Sequence, residues 1–245
     1  MRKVSLAVAA AAALLVFAAV AMAQTNIYST TGKIASGGTK AKPKPVAVKF
    51  DYAIKEASGN LASPVTTYKI HFDGLKGDGS QAKATCAASK INNAQPISDS
   101  VCPSGSLVGT GTVKALVGTA GQPTDPNSKC DLNLKVYAGG KKSLALYLSG
   151  QPPQCIAQIG QAIDAKLSTD ATGGSLTFSV PAGLLHPVAG LDVAVTSVSS
   201  SIKKIGKGTK GVFVSTGCKG TRKVKVTFTA ETGETGTAES SAGKC

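Results

Sequence analysis

Two histidines, His71 and His186, are the only imidazoles in this 245-residue chain. Histidine is the side chain best placed to act as a base near neutral pH. His71 stands on the polar side of an alternating run, two residues before Asp73, and His186 precedes Pro187 in "LLHPVAG". A Ser–His–Asp relay needs a base held by a carboxylate beside a nucleophile. No local signature selects either histidine for that role, and the GxSxG turn that presents a nucleophilic serine is absent. Both read as solvated or capping residues, and no catalytic residue is assigned. The alternative is an extracellular hydrolase whose site is assembled from distant residues around His71 or His186.

Three other patterns invite a chemical reading. The stretch "VCPSGSLVGTGTV", Val101 to Val113, is rich in glycine and serine. A phosphate-binding loop needs a lysine after its glycines and a helix beyond them. Here an alternating run follows, so the stretch is read as a corner: Cys102 tethers, Pro103 fixes φ, Gly105 turns, and a strand begins near Val108. The chain also carries one GxGxxG, Gly206 to Gly211, but "VFVSTGC" follows it where a dinucleotide site needs a helix. It reads as a basic hairpin loop in which Lys203, Lys204, Lys207 and Lys210 could hold a small anion. The four glutamates, Glu56, Glu231, Glu234 and Glu239, fall in apparent loops or near the terminus. Asp73 and Asp78 share a glycine-rich loop without calcium-loop spacing. No metal ligand set and no cofactor is assigned.

Six cysteines, Cys86, Cys102, Cys130, Cys155, Cys218 and Cys245, have no CxxC spacing. Three disulfides are expected, as is usual in an oxidising compartment. Six cysteines allow fifteen pairings. The expected one is sequential: Cys86 with Cys102, Cys130 with Cys155, Cys218 with Cys245. The last would close the open end of a basic C-terminal hairpin.

The compartment follows from the N-terminus. Arg2 and Lys3 precede a long apolar stretch that ends in Ala21-Met22-Ala23, the pattern of a cleaved secretory signal over residues 1–23. No transmembrane segment is expected in the mature chain, and "SSAGKC" carries no hydrophobic tail. Losing Arg2 and Lys3 takes the formal net charge from +14 to +12. Such a charge attracts anionic wall polymers, acidic polysaccharides and lipid headgroups without specifying one. No specific nucleic acid is expected as a partner. The mature chain has no Trp, which argues against an aromatic carbohydrate-binding platform.

The elements that must hold these residues have a period of two. In "VKFDYAIK", Val48, Phe50, Tyr52 and Ile54 alternate with polar neighbours. Similar runs follow around Ile70, Leu134, Leu146, Phe178, Val193 and Val226, separated by turn signals such as "DGLKGDGS", "GGKK" and "TGETG". This predicts an all-β fold: an antiparallel β-sandwich, immunoglobulin-like or jelly-roll-like, of about ten to twelve strands with three disulfides. Ala84–Ile91 and Cys155–Ala162 are candidate short helices. Residues 24–45 are read as an N-terminal strand and a basic, proline-containing segment, and residues 46–245 as the sandwich domain.

The order "TC", "CPSGSLVGTGT", a third Cys before an alternating strand, "LTFSVP" with a following "HP", and "STGCKGTRKVKVTF" with a terminal Cys is distinctive. Over roughly Val46 to Cys245 it resembles an uncharacterised group of exported, disulfide-containing β-proteins from high-GC Gram-positive bacteria. The resemblance implies that the Cys-Pro corner and the C-terminal hairpin belong to the scaffold, and it carries no activity.

The expected function is that of an exported, non-catalytic envelope or extracellular protein. It would bind anionic polymers through Lys203, Lys204, Lys207, Lys210, Lys219, Arg222, Lys223 and Lys225, which are grouped in sequence and expected to project into solvent. A partner-binding or inhibitor-like module using the stapled loop Gly118–Lys129 is a further alternative.

Overall fold

The computed structural model describes residues 25–245. The predicted signal peptide lies outside them. The alternating runs form strands, one after another. The first are β1 (Asn26–Ile34), β2 (Lys44–Pro45), β3 (Val48–Glu56), β4 (Val65–Asp73) and β5 (Leu75–Gly77). After a short helix α1 (Ala88–Asn92) come β6 (Leu107–Gly118), β7 (Leu132–Gly140), β8 (Ser143–Gly150), β9 (Ile159–Thr169) and β10 (Gly173–Ser179). A second short helix, α2 (Ala182–Leu185), leads to β11 (Asp192–Ile202), β12 (Gly206–Lys207), β13 (Lys210–Gly211) and β14 (Phe213–Ser215). The chain ends in β15 (Thr221–Ala230) and β16 (Thr235–Lys244).

Eleven strands form one antiparallel sheet in the order β1-β3-β11-β6-β7-β8-β9-β10-β4-β15-β16. The all-β expectation holds, and the layers come from one sheet rolled until its ends nearly meet. Small residues permit the approach of β1 to β15 and β16. A Cβ on Gly32 would stand 2.8 Å from Val224 Cγ1 and 3.1 Å from Ala242 Cβ. A Cβ on Gly236 would stand 2.2 Å from the Tyr28 ring. Tyr28 stacks on Phe228 across this seam with centroids 4.3 Å apart. The N-terminal strand is thus part of the main sheet.

The in-phase residues of the strands fill the interior. Phe50, Ile70, Phe72, Leu144, Val226 and Phe228 are all buried. Burial of such side chains stabilises by about 1.5–3 kcal/mol each. A small sheet, β2-β14-β5, closes one end of the roll. Its Leu75 and Phe213 join the main core, and Phe213 meets Phe72 edge-on at 6.3 Å.

The three disulfides are Cys86–Cys102, Cys130–Cys155 and Cys218–Cys245, the sequential pairing. The first staples an excursion on the outside of the sheet, where Ile91 packs with Tyr137, Ala145, Tyr147 and Ala162 in a second core. Cys102-Pro103 leads through one 3-10 turn, Ser104–Ser106, into β6, so the corner reading of this stretch is correct. Of the two candidate helices, only the first exists, shifted to Ala88–Asn92. Cys155 instead makes a β-bridge to Cys130, and β9 begins at Ile159. The pairing of β9 with β8 satisfies backbone groups that an isolated helix there would have left at its ends.

Candidate functional site

The antiparallel register gathers many of the lysines at one end, where Asp73 and Asp78 also lie. Lys33 lies opposite Lys49, next to the pairs Ile34–Val48 and Val48–Ile202. Lys203 and Lys204 continue from Ile202 at this end. The hairpin β12–β13 then displays Lys207 and Lys210, with Gly211 packed on Pro45, so Lys44 of β2 stands beside it. Lys219 follows Cys218 at the same end, and all of these lysines are exposed. The GxGxxG stretch is therefore a hairpin. At the opposite end sit Glu56, Asp192, Glu231 and Glu234, at the far ends of β3, β11 and β15.

Three of the eight anticipated basic residues stand elsewhere. Lys223 and Lys225 project from the side wall of β15, and Lys223 is paired with Glu239 at 2.6 Å. Arg222 does not reach solvent at all: its exposure is 0%. It shares strand phase with Val224, Val226 and Phe228, so its side chain points inward. Nη2 donates to Ser215 Oγ at 2.7 Å. Burial pulls its pKa down, opposed by the charge of Asp73.

His71 gathers partners the sequence did not connect. Its Nδ1 is 2.9 Å from Ser175 Oγ, directly across the β4–β10 ladder. Its Nε2 is 3.2 Å from Thr172 Oγ1 and 3.3 Å from Asp73 Oδ1. Asp170, 3.7 Å from Nδ1, accepts from the Thr172 hydroxyl and from the backbone N–H groups of Thr172 and Gly173. Those hydrogen bonds hold its carboxyl down at about 2. Ser175–His71–Asp73 has the order of a catalytic relay, but the serine is only 4% exposed. It lies mid-strand between two ladders, so its neighbouring N–H groups are committed and cannot form an oxyanion hole.

His186 is a clasp. Its Nε2 lies 2.7 Å from Glu231 Oε1 and its Nδ1 2.9 Å from Asp192 Oδ1. These contacts tie the end of α2 to the start of β11 and to the turn after β15. Hydrogen bonding to Glu231 raises its pKa above the ordinary histidine value; desolvation opposes this, and the Glu231 charge and Asp192 add to the rise. Neither neighbour is a nucleophile. Among the described residues no cluster of three or more His, Cys, Asp or Glu is arranged to hold a metal ion.

The loop Gly118–Lys129 is pinned to the scaffold. Gln122 accepts from Leu61 N–H, Gly121 donates to Leu61, and Ala120 N–H donates to Asp192.

The interior of the rolled sheet contains a cavity of about 90 Å³, lined by inward side chains of β3, β4 and β6–β11 together with Val180 and two leucines of α2. Ser200 is the one lining residue that is neither hydrocarbon, aromatic nor disulfide-bonded. The lining phenols Tyr52 and Tyr68 have their pKa values raised, chiefly by burial, which keeps them neutral. Sequence patterning identified part of the lining, such as Phe50, Ile70, Leu134, Leu146 and Phe178, but not Ile159 and Ile163 of β9, whose start fell in a candidate helix; convergence on one cavity depends on closure of the sheet.

These features define a disulfide-stapled β-roll with a lysine-rich end and an apolar interior. No family model, curated protein or solved structure matches the chain.

Proposed function

We propose that this is an exported, non-catalytic envelope or extracellular protein that binds anionic polymers through its lysine-rich end. The observation that carries this reading is the clustering of exposed lysines: Lys44, Lys203, Lys204, Lys207 and Lys210 stand together at one end of the roll, where they outnumber the nearby Asp73 and Asp78. Isolated surface ion pairs contribute only about 0–1 kcal/mol. Several aligned lysines facing a polyanion act together, and their attraction is screened by salt. Three disulfides fit an oxidising compartment. No helix among the described residues is long and apolar enough to cross a membrane.

Retention on immobilised dextran sulfate tests the reading. Binding at about 0.05 M salt is expected to fall steeply by about 0.5 M as the Debye length shrinks. Joint replacement of Lys203, Lys204, Lys207 and Lys210 by Glu is expected to weaken it about ten- to a hundredfold. Retention that ignores both salt and these replacements refutes the proposal.

A further inference from the structure

We propose that the interior of the sheet binds one unbranched alkyl chain, such as the acyl chain of a lipid, which enters between β9 and β10 beneath α2. The entrance comes from an interrupted ladder. β9 runs from Ile159 to Thr169, but its pairing with β10 covers only Lys166–Thr169. Along the rest of β9, Ile159 to Ala165, no strand among the described residues is paired on the β10 side, and Asn92 occupies part of that edge, exchanging hydrogen bonds of 2.8 Å with the backbone of Ala162. Beside this unpaired edge stands a run of cavity-lining hydrocarbon: Ile159, Phe178, Val180 and Leu184 are all only half-buried. Leu184 and Leu185 of α2 roof this opening, and the His186 clasp holds the helix in place.

The shape of the space selects the ligand. The lining follows β11 from Val193 to Ile202, roughly 30 Å at about 3.3 Å per residue. Yet the cavity volume is only about 90 Å³. The space is smaller than a long alkyl chain, so an unbranched chain is seated only as the half-buried side chains at the mouth move apart, and a fused ring system, which cannot thread between them, is rejected. A space whose walls are hydrocarbon apart from Ser200 and two phenols offers water few partners, and such cavities take up apolar molecules. The walls bear no charge, so nothing in them recognises an anionic or cationic group. The chain must therefore be held by apolar contact, with any polar head left at the entrance.

The probe is dodecan-1-ol, which is uncharged and gives the surface lysines nothing to attract. Binding to the mature, disulfide-intact protein is followed by methyl NMR. Saturable shifts are expected at Leu134, Leu146, Ile163 and Val198, which line the cavity. Val224 and Val226, buried outside it, are expected to stay still. Ala115→Leu, which fills the space from β6, and Leu184→Asp, which places a charge at the half-exposed entrance, are each expected to weaken binding about tenfold or more. Should Ala115→Leu fail to fold, Leu184→Asp decides the question. The proposal is overturned if no saturable shift occurs up to the solubility limit of dodecanol, if the shifts fall on the outer surface, or if Leu184→Asp binds as the parent does. None of these outcomes bears on polyanion binding at the lysine-rich end.

Discussion

Arg222 donates from Nη2 to Ser215 Oγ at 2.7 Å, and neither residue has any solvent exposure. Nε and Nη1 of the same guanidinium have no hydrogen-bond partner among the described residues. A buried cation with one neutral hydrogen-bond partner is costly, because a single hydroxyl does not replace its hydration and the charge of Asp73 only partly offsets the burial. Replacing a buried charge by an apolar side chain of similar length commonly stabilises. Arg222→Met is therefore expected to raise unfolding free energy by about 1–3 kcal/mol in urea titrations with disulfides intact. Arg222→Ala, which also deletes the packed stem, is expected to fall below the Met variant. A Met variant less stable than the parent would show that the charge is better compensated than its contacts indicate.

The same arginine shows how far the sequence could be read. Its phase with Val224, Val226 and Phe228 already pointed inward, but its place among Lys219, Lys223 and Lys225 made a solvent-facing basic cluster the simpler reading. Period-two patterning identified strands such as β3, β4, β7, β8 and β15 because one face of each is oily, but it missed β9, whose start fell in a candidate helix. It could not say that β1 would meet β16, since closure rests on tertiary contacts at Gly32 and Gly236. The cavity inherits that limit. So do the partners of His71 and His186: Ser175 reaches His71 only through cross-strand register, and Glu231 lies 45 residues from His186. Cysteine count was more informative, because an even set implies bridges, and the expected sequential pairing holds because each bridge joins segments only 16, 25 and 27 residues apart in the chain.

Asp99 anchors the stapled excursion to β7. Its carboxylate accepts from Lys135 Nζ at 2.6 Å and from the Tyr137 hydroxyl. Desolvation pushes the Asp99 pKa up, but the hydrogen bonds from Lys135 and Tyr137 and the lysine charge outweigh it, and the net shift is downward. A folded value below the unfolded value of about 3.9 makes the contribution present above that pH. It is lost as pH falls through the folded pKa. The stability difference between the parent and Asp99→Asn is therefore expected to be largest near neutrality and to shrink below about pH 4. A difference independent of pH in urea titrations would rule out the carboxylate charge as its source.

His186 titrates in the opposite sense. Glu231 and Asp192 raise its folded pKa above the unfolded value of about 6.5. The clasp thus contributes fully below that pH and is lost as pH rises through the folded value. In an NMR titration of the imidazoles, Glu231→Gln is expected to shift the His186 midpoint downward. Amide exchange at His186, whose N–H donates to Ala182, is expected to quicken as the clasp opens, after correction for the intrinsic pH dependence of exchange. If His186 titrates identically in both proteins, the Glu231 pair is not made in solution and α2 is held by its leucines and the Asp192 contact.

Ser175 provides the sharpest separation of binding from catalysis. Its hydroxyl lies 2.9 Å from His71 Nδ1 and Asp73 stands on the far side of the ring, yet the serine is buried mid-strand. Nucleophilic attack needs an approach path and donors for the developing oxyanion. The ladders on both sides of β10 consume those donors. Incubation with a fluorophosphonate is therefore expected to leave Ser175 unlabelled by peptide mass spectrometry. Ser175→Ala is expected to cost about 0.5–1.5 kcal/mol of stability, the worth of one hydrogen bond. Stoichiometric labelling at Ser175, lost in His71→Ala, would mean that the imidazole swings aside to admit substrate, and the hydrolase reading would then displace the binding one.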